Sequence, residues 1–267
     1  MKSKSPQPWH RVSIDALRAV RGVLTDIDDT LTTDGAITPD ALQALADLRA
    51  AGLPVIAITG RPMGWSCGFA MDWPIDAIVA ENGSVALFRS GDALRVEYEQ
   101  SAEVRAANTL RLQAVAALVL REVPGAKLAQ DSAGRVTDIA VDHSEFARLN
   151  ADQIERVVGV MRSAGMTATV SSIHINGWFG EHNKLSGARW ITRRLQHIDI
   201  DAELARWVYV GDSTNDQLMF GHFPLSVGVA NLMRFENELT VWPAFVTQAE
   251  RGAGFAEVAR TLLAALS

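Results

Sequence analysis

The sequence predicts an α/β fold: a doubly wound parallel sheet with a Rossmann-like core, into which an α+β cap domain is inserted. Short β-branched runs bounded by turn residues alternate with helical segments, which is typical of a parallel sheet covered on both faces. The middle of the chain breaks this alternation. With 267 residues and 48% hydrophobic content, the chain can build a large core carrying an insert. We place the core domain at residues 10–85 and 180–267 and the cap at residues 86–179.

The first two core strands enclose a well-marked helix. Thr38 and Pro39 form a helix start, an alanine-rich helix follows over residues 41–51, and Gly52 ends it. A strand, a helix and a strand at this spacing form a right-handed parallel crossover. Later helices are expected at residues 186–196 and 255–266, and an edge strand at Phe245. The predicted core strands cover residues 22–27, 54–59, 77–80, 207–210 and 225–229.

The cap is predicted from a different pattern. Residues 85–88 and 94–98 resemble a hairpin, and residues 102–121 a long helix. The remaining predicted cap elements are strands at 127–130 and 136–141, a helix at 151–163 and strands within 167–175. We expect this insert to cover the ends of the core strands.

Charge and composition exclude several classes of protein. A net charge of −6 and a pI near 5.5 argue against a nucleic-acid surface, which needs clustered Lys and Arg. No apolar run has the length of a signal peptide or of a membrane-spanning helix, so we expect no membrane partner. The single cysteine, Cys67, excludes an internal disulfide and fits a reducing cytoplasm.

The segment from Asp26 to Thr32 follows the apolar run Val23-Leu24-Thr25 and carries the most specific chemical signal. Asp26 and Asp28 are two positions apart at the mouth of a strand, so their carboxylates project toward the same side. One can attack a phosphorus while the other handles a proton. Alone, this segment could be a helix cap. The matching groups that follow are Thr59-Gly60-Arg61, Lys184 at a helix start, and Gly211 to Asp216.

Ligands of open parallel sheets bind beyond the carboxyl ends of the strands. Asp26, Thr59 and Asp212 are each predicted at such an end. Each pair of like charges about 4 Å apart costs about 4 kcal/mol at an effective dielectric near 20, so carboxylates beside a phosphate require cations. Hard oxygen ligands without a His or Cys cluster indicate Mg2+. Lys184 can supply further positive charge.

These motifs resemble the haloacid dehalogenase superfamily of aspartate-nucleophile phosphatases, in particular members with a large cap between the second and third motifs. The resemblance implies that Asp26 attacks phosphorus as an ionised group, and that Asp28 starts protonated, protonates the leaving oxygen and then deprotonates water. It implies phosphate binding by Thr59, Gly60, Lys184 and Asn215. It also implies Mg2+ binding by Asp26, Asp28 through its carbonyl, Asp212 and Asp216.

A second set of candidates precedes Lys184. Alternation on a strand would present Ser172, His174 and Asn176 to one face, where they could bind hydroxyl groups; His174 could equally be a structural histidine. Arg61 could reach substrate oxygens or pair with an aspartate. The turn Glu81-Asn82-Gly83-Ser84 resembles the segment that leads into the cap in such phosphatases.

The resemblance implies a small phosphorylated metabolite as substrate, a sugar phosphate or sugar-acid phosphate such as sucrose phosphate, mannosyl-phosphoglycerate or phosphoglycolate. A sugar phosphomutase would use the same aspartyl phosphate. A noncatalytic sugar-phosphate binding protein would have no use for Asp28 as a proton shuttle.

Overall fold

A computed structural model describes residues 5–266 of the chain. Strands and helices are numbered in chain order. The strands are β1 (Gln7–Pro8), β2 (Gly22–Thr25), β3 (Thr32–Thr33), β4 (Ala36–Ile37), β5 (Val55–Ile58), β6 (Ala77–Ala80), β7 (Val85–Ser90), β8 (Ala93–Tyr98), β9 (Lys127–Leu128), β10 (Asp138–Asp142), β11 (Thr167–Val170), β12 (His174–Trp178), β13 (Trp207–Gly211), β14 (Leu225–Gly228) and β15 (Phe245–Val246). The helices are α1 (Ile14–Arg18), α2 (Pro39–Ala50), α3 (Met63–Asp72), α4 (Ala102–Glu122), α5 (Ala151–Ser163), α6 (Lys184–Gln196), α7 (Gln217–His222) and α8 (Arg251–Leu266).

The core is a nine-stranded sheet in the order β1-β15-β14-β13-β2-β5-β6-β7-β8. The strands from β1 to β6 in this order are parallel, and β7 and β8 are antiparallel. From β2 the chain first winds toward β5 and β6, and after the cap it continues on the other side of β2 with β13. The order of the strands therefore reverses between β2 and β13.

Alternate side chains of the parallel strands point to opposite faces of the sheet, and both faces are buried. Val23 packs with residues of α1, α2, α3 and α8, whereas the next residue, Leu24, packs with residues of α6 and α7. Because helices cover both faces of the sheet, the side chains on both faces are buried. This explains why the sequences of these strands are largely apolar. The predicted doubly wound α/β core is confirmed.

The cap has its own antiparallel sheet, in the order β11-β12-β10-β9. One face of this sheet packs on α4 and α5 through a separate apolar cluster that includes Val119, Val157 and Ile175. The two segments that connect cap and core contact each other, since Gln100 Nε2 donates to the main-chain oxygen of Phe179 at 2.8 Å.

Three details differ from the sequence analysis. The hairpin predicted at the start of the cap is formed by β7 and β8, but β7 pairs with β6, so these strands extend the core sheet beyond the predicted boundary at residue 85. The edge strand predicted at Phe245 is covered by β1. Ser172 precedes β12 instead of lying on it.

Among the residues described, no helix combines the length and apolar character needed to cross a membrane.

Candidate active site

The reversal between β2 and β13 brings the two aspartate motifs together. Asp26 directly follows β2 and Asp212 directly follows β13. The main-chain nitrogen of Asp26 donates to the oxygen of Val210 at 2.8 Å, which extends the ladder between the strands into the site. Both aspartates therefore lie at the carboxyl ends of their strands, as the sequence predicts.

Lys184 enters the site from the first turn of α6. Asn183 and Ser186 form a capping box that defines the start of this helix. The helix packs closely on the turn after β6: a Cβ atom at Gly187 would lie 2.7 Å from the Cα of Gly83, and one at Gly83 would lie 2.2 Å from the oxygen of Asn183. Gly83 also has φ of +114°, so glycine at this position lets the helix approach.

The Lys184 ammonium lies between two buried carboxylates. Its Nζ is 2.8 Å from Asp26 Oδ1 and 2.7 Å from Asp216 Oδ1, and 3.4 Å from Asn215 Oδ1. The second oxygen of Asp216 accepts from the main-chain nitrogens of Asp212, at 2.9 Å, and Ser213, at 3.1 Å. Asp216 therefore fixes both the lysine and the loop that carries Asp212.

The donor set at this point fits a hard divalent cation. Carboxylate oxygens of Asp26, Asp212 and Asp216 lie within 4.8 Å of one another, and all three residues are buried. Asp212 Oδ1 is buried without a hydrogen-bond partner, whereas Oδ2 accepts from Asn231 Nδ2 at 3.1 Å. An unpartnered buried carboxylate oxygen in an oxygen-only cluster is what Mg2+ binding requires.

Protonation in this cluster depends on the balance of charges. Burial raises the pKa of Asp26 to about 7, against the opposing effect of Lys184, and the charges of Asp216 and Asp28 add to the rise. Burial together with Asp26 and Asp216 raises the pKa of Asp212 well above its usual range. Burial lowers the pKa of Lys184, but Asp216 and Asp26 outweigh it and hold that pKa above its ordinary value. A cation would favour ionisation of both aspartates.

Asp28 lies beside this cluster and is paired with Arg61. Arg61 Nε is 3.0 Å from Asp28 Oδ1 and 3.1 Å from Oδ2. The same guanidinium contacts two cap residues, Glu145 Oε1 at 2.9 Å and Asp131 Oδ2 at 3.3 Å. Arg61 thus connects the predicted proton-transfer residue to the cap. Both Asp28 oxygens therefore accept from Arg61.

The other predicted phosphate-binding residues lie around the same strand ends. Thr59 follows β5, is fully buried, and its Oγ1 accepts from the nitrogen of Arg61 at 3.0 Å. The main-chain oxygen of Gly60 accepts from two cap side chains, Arg135 at 2.9 Å and Asn176 at 3.2 Å. The structure therefore brings Thr59 and Gly60 to the strand ends and uses Gly60 for a contact between cap and core.

The substrate candidates of the cap separate into two groups. His174 Nε2 is 2.9 Å from Glu145 Oε2, and Asn176 Nδ2 donates to Asp138 Oδ2 at 3.0 Å as well as to Gly60. Both side chains are buried in contacts within the protein. Ser172 instead lines a cavity of about 460 Å³ between cap and core.

This cavity contains residues that the motifs did not indicate. The core lines it with Asp28, Asp29 and Arg61, and the cap loop of residues 143–149 lines it with residues 144–146 and 148. Three further arginines lie on its wall: Arg148, Arg234 and Arg251. Asn231, which orients Asp212, was also missed. No motif or periodic pattern marks these residues, so only their position in the fold identifies them.

Comparisons with known proteins agree with the motifs. The sequence model of the haloacid dehalogenase-like hydrolases matches residues 23–120, a range that begins in β2 and contains Asp26, Asp28 and Thr59. No curated protein matches the chain at a significant level.

Solved structures with a similar fold cover nearly the whole chain. A Thermoplasma acidophilum protein, 0175, superposes with a TM-score of 0.70 and 16% identity over 91% of this chain and 98% of its own. The sucrose-phosphatase of Synechocystis, solved with sucrose and phosphate, gives a TM-score of 0.64 and 15% identity over 91% and 98% of the two chains. The C-terminal domain of the C. albicans trehalose-6-phosphate phosphatase gives 0.68 and 13% over 100% and 99%.

The fold is thus shared with these solved structures, and the sequence match covers the segment that contains Asp26 and Asp28. Asp26, Lys184, Asp212 and Asp216 meet in one buried cluster, as the resemblance to this family implies. The chain thus carries a match to the haloacid dehalogenase-like hydrolases over residues 23–120, in a fold that has a cap inserted into its core domain.

Proposed function

We propose that the protein is a Mg2+-dependent phosphatase that hydrolyses a small phosphorylated metabolite, a sugar phosphate or a sugar-acid phosphate, through an aspartyl phosphate on Asp26. The observation that carries this proposal is the buried cluster of Asp26, Asp212, Asp216 and Lys184 beside Asp28, next to a cavity of about 460 Å³. The fold shared with sugar-phosphate phosphatases supports the substrate class.

Asp26, Asp212 and Asp216 would hold or support Mg2+, together with the carbonyl of Asp28. The bound cation would neutralise charge on the phosphoryl oxygens and on the carboxylates. Lys184 contributes a second, permanent positive charge in the same buried cluster. Because phosphoryl transfer needs mostly positioning and charge neutralisation, these groups supply what the reaction requires.

In the first step a carboxylate oxygen of Asp26 attacks phosphorus, the bond from phosphorus to the ester oxygen breaks, and Asp28 gives its proton to that oxygen. In the second step water attacks the same phosphorus, Asp28 takes the water's proton, and inorganic phosphate leaves Asp26 as a free carboxylate. Arg61 must release Asp28 for these transfers, and we propose that movement of the cap accomplishes this.

The test is a screen of phosphorylated metabolites with Mg2+, measuring release of inorganic phosphate by wild-type protein and by Asp26→Asn. We expect the variant to lose activity by at least about 10³-fold, since the amide cannot act as nucleophile. Asp92→Asn is a matched control, because Asp92 is exposed in the turn between β7 and β8. Full activity of Asp26→Asn would refute the proposed nucleophile, and isomerised sugar phosphate without released phosphate would indicate a mutase.

A further inference from the structure

Hydrogen bonds hold the cap side of the cavity in a defined conformation. Asp142 is buried, and its two carboxylate oxygens accept from four consecutive main-chain nitrogens, those of residues 144 to 147, at 2.8 to 3.1 Å. A carboxylate that accepts this many hydrogen bonds holds a loop in one conformation. Side chains on this loop are therefore presented to the cavity in a defined arrangement.

The loop is also attached to the segment before β12. His143 Nε2 is 2.9 Å from the main-chain oxygen of Ser171, and Ser144 Oγ donates to the oxygen of Ser172 at 2.7 Å. Residues 144–146, 148, 172 and 173 line one continuous side of the cavity. Phe146 is 66% exposed although it is a large apolar side chain, so the wall offers an apolar surface next to hydroxyl groups.

The charges that line this cavity are paired, with one exception. Arg61 pairs with Asp28 and Glu145, and Glu145 also contacts His174. Arg234 and Arg251 both pair with Asp29, and Arg251 pairs with Asp34 as well. Within residues 5–266, Arg148 forms no ion pair; its side chain donates to the main-chain oxygen of Ser144. One cation of the wall is thus left without a counter-charge.

We propose that Arg148 is a specificity-determining residue that binds a carboxylate on the leaving group, so that the preferred substrate is a phosphorylated sugar acid. This rests on the proposed phosphatase function and narrows its substrate class. The phosphoryl group lies at Asp26 and Lys184, and the leaving group extends into the cavity toward Arg148. A guanidinium matches the geometry of a carboxylate and can donate two parallel hydrogen bonds to it. Hydroxyl groups of the substrate meet Ser144 and Ser172.

The experiment compares two substrates that differ only in this group. Phosphogluconate and sorbitol phosphate, each phosphorylated on the terminal carbon, have the same chain, but one ends in a carboxylate and the other in a hydroxymethyl group. We expect wild-type protein to prefer phosphogluconate in kcat/KM by about tenfold, mainly through a lower KM. In Arg148→Gln the ratio should fall to near unity, and Arg148→Lys should restore part of it.

Arg121→Gln is the matched control, since the Arg121 side chain is 73% exposed on α4 and pairs only with its neighbour Glu122 among the described residues. It should keep the wild-type ratio. Equal kcat/KM for the two substrates, or a ratio that Arg148→Gln leaves unchanged, would overturn this assignment while the phosphatase function stands. Hydrolysis of neutral sugar phosphates but of neither test substrate would overturn it too. Absence of phosphate release from every metabolite in the screen would instead refute the phosphatase function itself.

Discussion

Asn231 holds Asp212 by one carboxylate oxygen and leaves the other without a partner. Asn231 Nδ2 donates to Asp212 Oδ2 at 3.1 Å and to the main-chain oxygen of Asp29 at 3.0 Å. Its Oδ1 accepts from the nitrogen of Arg251 at 2.8 Å. A single buried amide therefore joins the first aspartate motif, the last aspartate motif and the start of α8. This arrangement leaves Asp212 Oδ1 available to the Mg2+ ion proposed above.

Asn231→Ala should weaken Mg2+ binding by about 10- to 100-fold, the range typical for loss of a group that orients a metal ligand. Calorimetric titration of the metal into the protein measures this directly. Asn237→Ala is the control, because Asn237 is exposed and follows the same segment. Equal Mg2+ affinity of wild type and Asn231→Ala would show that Asp212 does not depend on Asn231.

Mg2+ affinity should rise with pH across neutrality. Burial raises the pKa of Asp26 to about 7, so without a cation this group carries its proton below that pH. Mg2+ binds the ionised carboxylate, so Asp26 must lose its proton when the metal binds. This requirement weakens Mg2+ binding at pH values below the pKa of Asp26. Titrations at about pH 6 and about pH 8 should show tighter binding at the higher pH, and a flat or opposite trend would contradict a raised pKa of Asp26. Asp26→Asn should reduce the slope.

The stability of the metal-free protein should show the complementary trend. The pKa of Asp26 in the folded protein lies above the ordinary value of 3.8, so folding favours the protonated form. That contribution is fully present below the ordinary value and is lost as pH rises through about 7. Thermal unfolding in a chelator should therefore occur at lower temperature at about pH 8 than at about pH 6. Added Mg2+ should reverse the loss, since it binds the folded state.

Lys184→Met should abolish phosphate release and also destabilise the fold. The ammonium lies between Asp26 and Asp216 at 2.8 and 2.7 Å, and its removal leaves two buried carboxylates uncompensated. Breaking a buried ion pair by removing one partner costs about 3–5 kcal/mol. Urea unfolding of metal-free protein measures this cost. Lys127→Met, at an exposed lysine of β9, should unfold as the wild type does; an equal loss in both variants would indicate a general effect of the substitution.

Glu145→Gln should loosen the contact between cap and core. The hydrogen bonds from His174 and Arg61 outweigh burial and lower the pKa of Glu145 to about 2, so the carboxylate is a charged partner of Arg61 across the cleft. Neutralising Glu145 should destabilise the closed arrangement of cap and core by about 1–3 kcal/mol. Small-angle scattering should report a larger radius of gyration than for the wild type. Glu155→Gln, on the exposed face of α5, provides the comparison; identical curves for Glu145→Gln and wild type would mean that this contact does not hold the cap.

The part of the site that the sequence predicted is the part attached to regular strands. Asp26 and Asp212 follow buried apolar runs, and parallel strands must present their carboxyl ends at one edge, so spacing along the chain was sufficient. Lys184 was recognised from its position at a helix start and from its place in the order of the motifs. Asn231, Glu145 and Arg148 had no such signal, since no periodic pattern marks their segments and the positions of these segments depend on tertiary contacts.

The predicted face of β12 shows the limit of periodicity. Alternation correctly places His174 and Asn176 on one side of the strand. The alternating pattern does not, however, indicate which residues that side will contact. It meets Glu145, Asp138 and Gly60, so the polar residues satisfy the contact between cap and core. The hairpin of β7 and β8 is a similar case, because the alternating pattern predicted the strands but not the sheet that they join.

The hydrogen bond between Gln100 and Phe179 joins the only two stretches of chain that lead from the described core into the cap. The two connections between cap and core therefore lie side by side at this hydrogen bond, and the further contacts between cap and core, such as Thr214 Oγ1 to the oxygen of Val170, are also noncovalent. A rotation of the cap about this point would move Glu145 and Arg148 together, since both lie on one loop. Leaving-group recognition and release of Asp28 from Arg61 would then be one movement, so a substrate that fails to engage the cap would also fail to set up proton transfer.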